Sequence, residues 1–459
     1  MTDLRIIGIV LAVASMCVYG ADAEVIKRGE YLARAGDCVA CHTAPGGKPM
    51  AGGLSLPTPV GAIVSTNITP SKTHGLGNYT LEQFSAALRS GVRADGNHLY
   101  PAMPYNAYAK VTDDDVKLLY AYFMEGVAPV DAAPPATDLP FPFNVRLSMA
   151  GWNLLFLDCK RFQPDPGKDA QWNRGAYLVR GLAHCGACHT PRNVLMAEKQ
   201  SQELGGGELG PWYAPNITAD GNSGVGGWSV QELVDYMGLG HTRKAQAAGP
   251  MAEAIDNSLR HLTAEDLRSI ATFLKSVPAL RDTADTRPVY EWGGPAEDFN
   301  GIRGKEWPKE RDQMSGPELY DGYCASCHQA SSQGSFDSGL PPLFHNSGVG
   351  RANTNNLVMA MLEGIQRHVE PYEIRMPGFA RELSDTQLAI LGTYLVQRYG
   401  NPQAKVTAAQ VGQLRAGGGA SNLIWVVRAG MVLATIVLIT AILLLGRRTR
   451  RNKHRSVPL

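Results

Sequence analysis

The sequence predicts a mainly α-helical protein of three tandem small domains followed by one C-terminal transmembrane helix. Three observations carry this. The pentapeptide Cys-x-x-Cys-His occurs three times, as Cys38-Val39-Ala40-Cys41-His42, Cys185-Gly186-Ala187-Cys188-His189 and Cys324-Ala325-Ser326-Cys327-His328. Each copy is followed by the same order of Met-bearing segment and capped helix. Residues Leu423 to Leu445 form an almost unbroken apolar run. The 459 residues suffice for about three domains at ~150 each. With 44% apolar residues, each can bury a core.

Cys-x-x-Cys-His is the spacing of covalent c-type haem attachment. Two thiols three positions apart lie on one face of a helical turn, where both reach the vinyl groups of one porphyrin. The adjacent imidazole then faces the iron as proximal ligand. A structural zinc site would need four ligands, usually from two such pairs. Three pairs, each with its own His, do not fit that count. A thioredoxin-like motif would need a βαβ setting, which the flanking sequence lacks. The expected cofactors are therefore three haems c, attached through Cys38, Cys41, Cys185, Cys188, Cys324 and Cys327, with His42, His189 and His328 on the irons. Generous Gly (50) and Pro (29) suit loop-rich domains in which a haem forms part of the core.

Around each motif the same elements recur. A helix-like stretch precedes each, with Gly29, Gly175 or Gly316 upstream of the first Cys by nine, ten and eight residues. A second helix follows, opened by Thr112, Thr263 or Ser384 as N-cap, with Asp115, Asp266 or Gln387 three residues on. Ten residues past each cap stands a ring, Tyr122, Phe273 or Tyr394. A Gly on one helix facing a ring on the other predicts a close crossing. Just before each capped helix lies a Met in a Pro-containing loop: Met103, Met251 and Met376, at 61, 62 and 48 residues from the motif His. A thioether is a soft ligand suited to haem iron, so these three are the expected second axial ligands. Core filling is the alternative role for a Met. His98 and His241 lie close enough to be rivals, whereas His74, His184, His261, His345, His368 and His454 read as surface or hydrogen-bonding residues.

Both ends point to a membrane. Residues 1–23 carry Arg5, an apolar run from Ile6 to Tyr19 and Ala21-Asp22-Ala23, the pattern of a cleavable secretory signal. Leu423 to Leu445 spans roughly 30 Å or more, enough for one crossing. Arg447, Arg448, Arg450, Arg451, Lys453 and Arg455 follow it, and the positive-inside rule places that tail in the cytoplasm. The bulk of the chain is then periplasmic, on the outer side of a bacterial inner membrane. The expected divisions are domains at 24–130, 166–281 and 309–402, linkers at 131–165 and 282–308, a flexible tether at 403–421, the membrane helix at 422–446 and the tail at 447–459. Net charge is +1, so no nucleic acid or other polyanion is implied. Cys17 would leave with the signal, and Cys159 reads as a buried structural thiol.

With these elements in place, each repeat resembles a class I cytochrome c domain. The chain from about Glu24 to Pro402 resembles the tri-haem cytochrome c subunits of membrane-bound bacterial dehydrogenases for alcohols, aldehydes, gluconate or sugars. The likeness rests on Arg28-Gly29-Glu30-Tyr31-Leu32, Ser65-Thr66-Asn67-Ile68-Thr69-Pro70, Tyr100-Pro101-Ala102-Met103-Pro104-Tyr105, Met251-Ala252-Glu253, Met376-Pro377-Gly378-Phe379 and Tyr399-Gly400-Asn401-Pro402. Asn-Ile-Thr returns at Asn216-Ile217-Thr218, while the third repeat has Leu340-Pro341-Pro342-Leu343 instead. The resemblance implies a separate large catalytic subunit, a further small subunit in some complexes, and electron flow through three haems to membrane ubiquinone. The alcohol and aldehyde class is favoured, with gluconate or sugar (flavin) partners as the alternative. The C-terminal helix departs from some alcohol-linked members.

The chain itself would not oxidise an organic substrate, since iron closed by His and Met has no open position. A multihaem peroxidase or reductase, with one iron left open, is the rival enzyme reading. Delivery of electrons to a terminal oxidase is the rival carrier reading. No G-x-G-x-x-G lies between strand and helix. The segment Arg146 to Leu157 is more apolar than a linker requires, and Trp152 and Phe156 with flanking Arg146, Lys160 and Arg161 suit an interfacial helix and a quinone site. Packing between the first two domains is the alternative.

Overall fold

The computed structural model describes residues 23–297, 299–335, 340–369, 372–419 and 422–455. The expected signal segment 1–23, with Cys17, lies outside them except for Ala23, where the first helix (23–35) begins. Helix predominates. Strands among the described residues form three antiparallel hairpins: Ser55–Thr58 with Gly61–Val64, Gly207–Leu209 with Trp212–Ala214, and Ile365–Val369 with Tyr372–Met376.

One helix crossing recurs three times. Helix 23–35 crosses Asp113–Ala121 and its π-helical continuation Tyr122–Gly126, Ala170–Tyr177 crosses Ala264–Leu274, and Gly316–Tyr323 crosses Asp385–Tyr399. The Gly in each first helix is what permits the approach. A Cβ on Gly29 would overlap Leu118 O and Tyr122 Cβ, one on Gly175 would overlap Ser269 O and crowd Phe273 Cβ, and one on Gly316 would overlap Tyr394 Cβ. The Gly and the ring ten residues past the cap therefore meet, as their spacing predicts. Thr112, Thr263 and Ser384 cap their helices by accepting from the N–H of Asp115, Asp266 and Gln387, and Ser384 with Gln387 completes a capping box.

The first two repeats share one apolar core, including Leu32, Val116, Leu119, Leu178, Ile255, Ile270 and Phe273. The third has its own, around Leu319, Tyr320, Met361, Leu391 and Tyr399, into which Trp212 reaches from the second. The first two are also locked reciprocally. The Tyr31 hydroxyl donates to Asp266 Oδ2 (2.6 Å) and accepts from the Thr263 N–H (3.2 Å). In the opposite sense, Tyr177 donates to Asp115 Oδ2 (2.5 Å) and accepts from the Thr112 N–H (3.5 Å). Each repeat's leading helix thus ties down the capped end of the other's closing helix.

Several segments differ from their sequence reading. The expected tether at 403–421 is largely packed: Ala404, Val406, Val411 and Leu414 are buried, the helix Ala408–Arg415 lies on Asp385–Tyr399, and Arg415 Nε donates to Asp385 Oδ1 at 2.8 Å. Its apolar residues fill a groove, and the chain leaves that groove only at Gly417 and Gly418, both at positive φ. The linker 282–308 likewise buries Val289, Tyr290 and Phe299. Cys159 is exposed rather than buried, because it follows the end of the helix Ser148–Phe156 at the surface. Leu423–Arg455 is one helix, of which Leu423–Leu445 is long and apolar enough to cross a membrane. Near its base, Arg428 Nε and Nη2 donate to Phe141 O at 3.1 and 2.9 Å.

Candidate functional site

The motifs form three short helices with their caps: Cys38–Cys41 with His42 as C-cap, Gly186–His189 with Cys185 as N-cap, and Ala325–His328 with Cys324 as N-cap. What holds each motif His is a device the sequence reading missed. His42 Nδ1 bonds Thr66 O at 2.6 Å, His189 Nδ1 bonds Pro215 O at 2.6 Å, and His328 Nδ1 reaches Pro341 O at 3.4 Å. A carbonyl can only accept, so Nδ1 carries the proton and Nε2 keeps its lone pair. Burial pushes all three imidazoles below their ordinary range, against the opposing pull of these carbonyls. The rings are therefore neutral, the form that binds a metal.

The carbonyls are held in turn. Asn67 Oδ1 accepts from Thr69 N and Oγ1 (2.9 and 2.7 Å), and Asn216 Oδ1 accepts from Thr218 N and Oγ1 (2.8 and 2.7 Å). Both Asn side chains are buried, and their Nδ2 groups donate to the chain leaving each repeat, at Val130 and Ala132 and at Leu280. The Asn-Ile-Thr copies are thus the brackets for the His anchors, and Pro341 fills the same place in the third repeat. Gly52, Gly206 and Gly334 complete the pattern. Each has positive φ and donates its N–H to the motif His carbonyl, at 2.8, 2.8 and 3.3 Å. A Cβ on any of them would collide with the anchoring loop.

One continuous cavity of about 2400 Å³ joins the three motifs. Cys41, Cys185, Cys188, His189, Cys324, Cys327 and His328 line it, as do Met251 and Met376. Met103 is half-buried beside it, between lining Pro101 and Pro104. An ordinary small-molecule pocket is ~300–1000 Å³, so this void exceeds one such ligand. Met103 is in a turn, as expected, but Met251 opens the helix Gly249–Asn257 and Met376 ends a strand. Pro250 fits the first helical turn, where no N–H is needed, so the Pro read as a loop signal marks a helix start. His98 and His241 do not line the cavity. His184 does, stacked on Tyr108 with ring centroids 5.5 Å apart, rather than lying on the surface.

Comparison with known proteins gives the following. The family described as cytochrome C oxidase, cbb3-type, subunit III matches residues 311–395, the third repeat. The fructose dehydrogenase cytochrome subunit of Gluconobacter japonicus is 45% identical over 93% of this chain and 92% of its own length. The gluconate 2-dehydrogenase cytochrome c subunit of Pantoea cypripedii is 40% identical over 88% and 92%. The cytochrome c subunit of the quinone alcohol dehydrogenase of Gluconobacter oxydans (strain 621H) is 36% identical over 87% and 84%. This chain belongs to the family of dehydrogenase cytochrome c subunits.

A cytochrome c subunit implies covalent haem c, and the cavity's chemistry fits that group. Its wall is mainly apolar, yet Arg351 lines it with its guanidinium pushed down by burial, and so do His184 and Gln246, whose buried Nδ1 and Nε2 have no protein partner. A flat macrocycle with anionic carboxylates would meet both needs. Among the described residues no three His, Cys, Asp or Glu side chains gather to hold a bare metal ion. Trp152 and Phe156 of the helix Ser148–Phe156, whose rings lie 5.3 Å apart, also line the cavity, as do Leu423, Val427 and Met431 of the C-terminal apolar helix. Trp152 Nε1 donates to Leu195 O (2.9 Å) and Asn153 Nδ2 to Ser90 O (3.1 Å), so this helix straddles the first two repeats.

Proposed function

We propose that the protein is an electron wire of three tandem class I cytochrome c domains, carrying electrons one at a time from a catalytic dehydrogenase subunit to ubiquinone in the inner membrane. The observation that carries this is the shared cavity: residues of all three attachment motifs line one void, Cys41 from the first and both Cys with the His from the second and third, and each motif His is carbonyl-anchored. Haem c, when bound, supplies one-electron iron chemistry. Cys38 with Cys41, Cys185 with Cys188, and Cys324 with Cys327 hold it covalently. His42, His189 and His328 would offer Nε2 to the irons, and Met103, Met251 and Met376 would supply the thioether ligands. The walls are mainly apolar, and the anchored imidazoles would keep their orientation through the change of charge, which lowers the reorganisation each electron requires.

The haem-bearing part lies on the periplasmic side after removal of the 1–23 signal, with the tail 447–459 in the cytoplasm. One finding favours a sugar or sugar-acid partner over an alcohol one: identity is higher to the fructose and gluconate dehydrogenase subunits than to the alcohol dehydrogenase subunit. Purification from membranes with an affinity tag should bring down one large flavin-containing subunit and give three haems per cytochrome chain by pyridine haemochrome. Carbon monoxide should leave the reduced spectrum unchanged. A haem count below three, prompt carbon monoxide binding, or a terminal oxidase as the co-purifying partner would overturn the reading.

A further inference from the structure

We propose that Arg367 is a positioning residue that joins the Met-bearing arms of the second and third repeats, so that the thioethers of Met251 and Met376 are set on their irons as a unit. The inference rests on the ligand reading above and adds a coupling to it. Arg367 lies on the strand Ile365–Val369 and is 1% exposed. In that hairpin Ile365 pairs with Met376 and Arg367 with Ile374, so Arg367 stands two pairs along the ladder from the third repeat's Met. Its Nη2 donates to Asp256 Oδ1 at 2.6 Å, and its Nη1 to Leu239 O at 2.8 Å. Asp256 belongs to the helix Gly249–Asn257, five residues and about 7.5 Å of helix rise beyond Met251.

The pocket for this side chain is built. Gly240, at φ 78, ends the helix Val230–Leu239, and a Cβ there would overlap the guanidinium. The cation also meets the negative end of that helix. A planar fork is needed to reach a carbonyl and a carboxylate on two different elements, which an ammonium does not supply. A charge this deeply enclosed is costly to desolvate, and a purely structural strand could have used an apolar residue here. Met103 sits in the turn around Pro101 to Pro104, without a corresponding hairpin, so the coupling joins the second and third sites and leaves out the first.

The test uses the full chain in its complex, with Arg367→Met, Asp256→Asn, Gly240→Ala and Arg367→Lys. Three haems per chain should remain by pyridine haemochrome. The ferric thioether-to-iron absorption should fall by roughly two thirds, since two of three thioethers are lost together; a fall of only about a third would show the two arms to be uncoupled. Carbon monoxide should then bind the reduced protein, and the potentials of two haems should drop while the third holds. Arg367→Lys should fall between native and Arg367→Met. Asp256→Asn keeps the volume but removes the carboxylate charge that Arg367 pairs with, and carries the test should Arg367→Met not fold. Native absorption and no carbon monoxide binding in all four variants would overturn the coupling alone. Absence of the thioether band from the native protein would instead overturn the ligand reading beneath it.

Discussion

At the scale of single residues, the deciding feature is how each motif His is fixed. A left-handed Gly bonds the His carbonyl while the loop packed on that Gly bonds the ring. Gly52→Ala should therefore cost ~1–2 kcal/mol for the backbone conformation alone. It should also push the Thr66 carbonyl off His42, leaving a less basic imidazole. Redox titration should show one of three potentials rising, with the other two unchanged. Asp37 gives a pH prediction. Burial first, and then the Glu253 carboxylate, push its pKa up to about 8, and its Oδ1 has no partner. The folded protein then holds a proton that the unfolded chain releases near pH ~4, so this residue's contribution falls as pH rises from about 4 to 8. Asp37→Asn, which tolerates the φ of 52° found here, should stabilise by about 1–3 kcal/mol at pH 9 and little at pH 4. Thermal melts at the two pH values decide it. The Asn-Ile-Thr copies were legible as a repeat, but not as His anchors. That role depends on contacts 24 and 26 residues from the motif, for which the local sequence carries no signal.

At the scale of elements, helices and caps were readable because their signals are local: a capping residue, a Gly, and a ring ten positions on. The pairing of the first two repeats was not, since Tyr31 reaches Asp266 across 235 positions. The repeated Arg-Gly-x-Tyr-Leu nevertheless contains both halves of the lock, Tyr31 and Tyr177. Burial raises the Asp266 carboxyl, but the Arg174 guanidinium at 2.7 Å and the Tyr31 hydroxyl outweigh it and hold its pKa below the ordinary range. Its stabilisation is present above pH ~3.9 and is lost as pH falls through the depressed value. Tyr31→Phe and Tyr177→Phe should each destabilise by about 1.5–3 kcal/mol, the range for hydrogen bonds to charged groups. Because the two hydroxyls act on separate ends, the double variant should be near the sum. Soret circular dichroism during thermal unfolding is the measurement, since a loosened pair of repeats alters the coupling between their haem transitions. Unchanged melting in both single variants would show the lock to be idle.

At the scale of the whole molecule, most of the exposed large apolar side chains outside the membrane helix gather in one place. Phe141, Val145, Leu147, Leu154, Leu155, Val194 and Leu195 are between 43% and 87% exposed, and Arg428 of the membrane helix bonds Phe141 O within the same region. Apolar patches of this kind mark interaction surfaces, and continuity with a helix long and apolar enough to cross a membrane favours the bilayer. The helix Ser148–Phe156 packs as the domain-packing reading expects, with Asn153 and Trp152 binding it to the first two repeats, while Leu154 and Leu155 are exposed. A quinone diffusing in the bilayer would meet the cavity where Trp152, Phe156 and Val427 line it. Under this route, Trp152→Ala and Phe156→Ala should each slow quinone reduction about tenfold, the effect of ~1.4 kcal/mol. Reduction of ferricyanide, a soluble acceptor that needs no apolar pocket, should stay within twofold of native. If both acceptors slow together, the two rings merely hold the repeats in place, and quinone must reach the haems at another face.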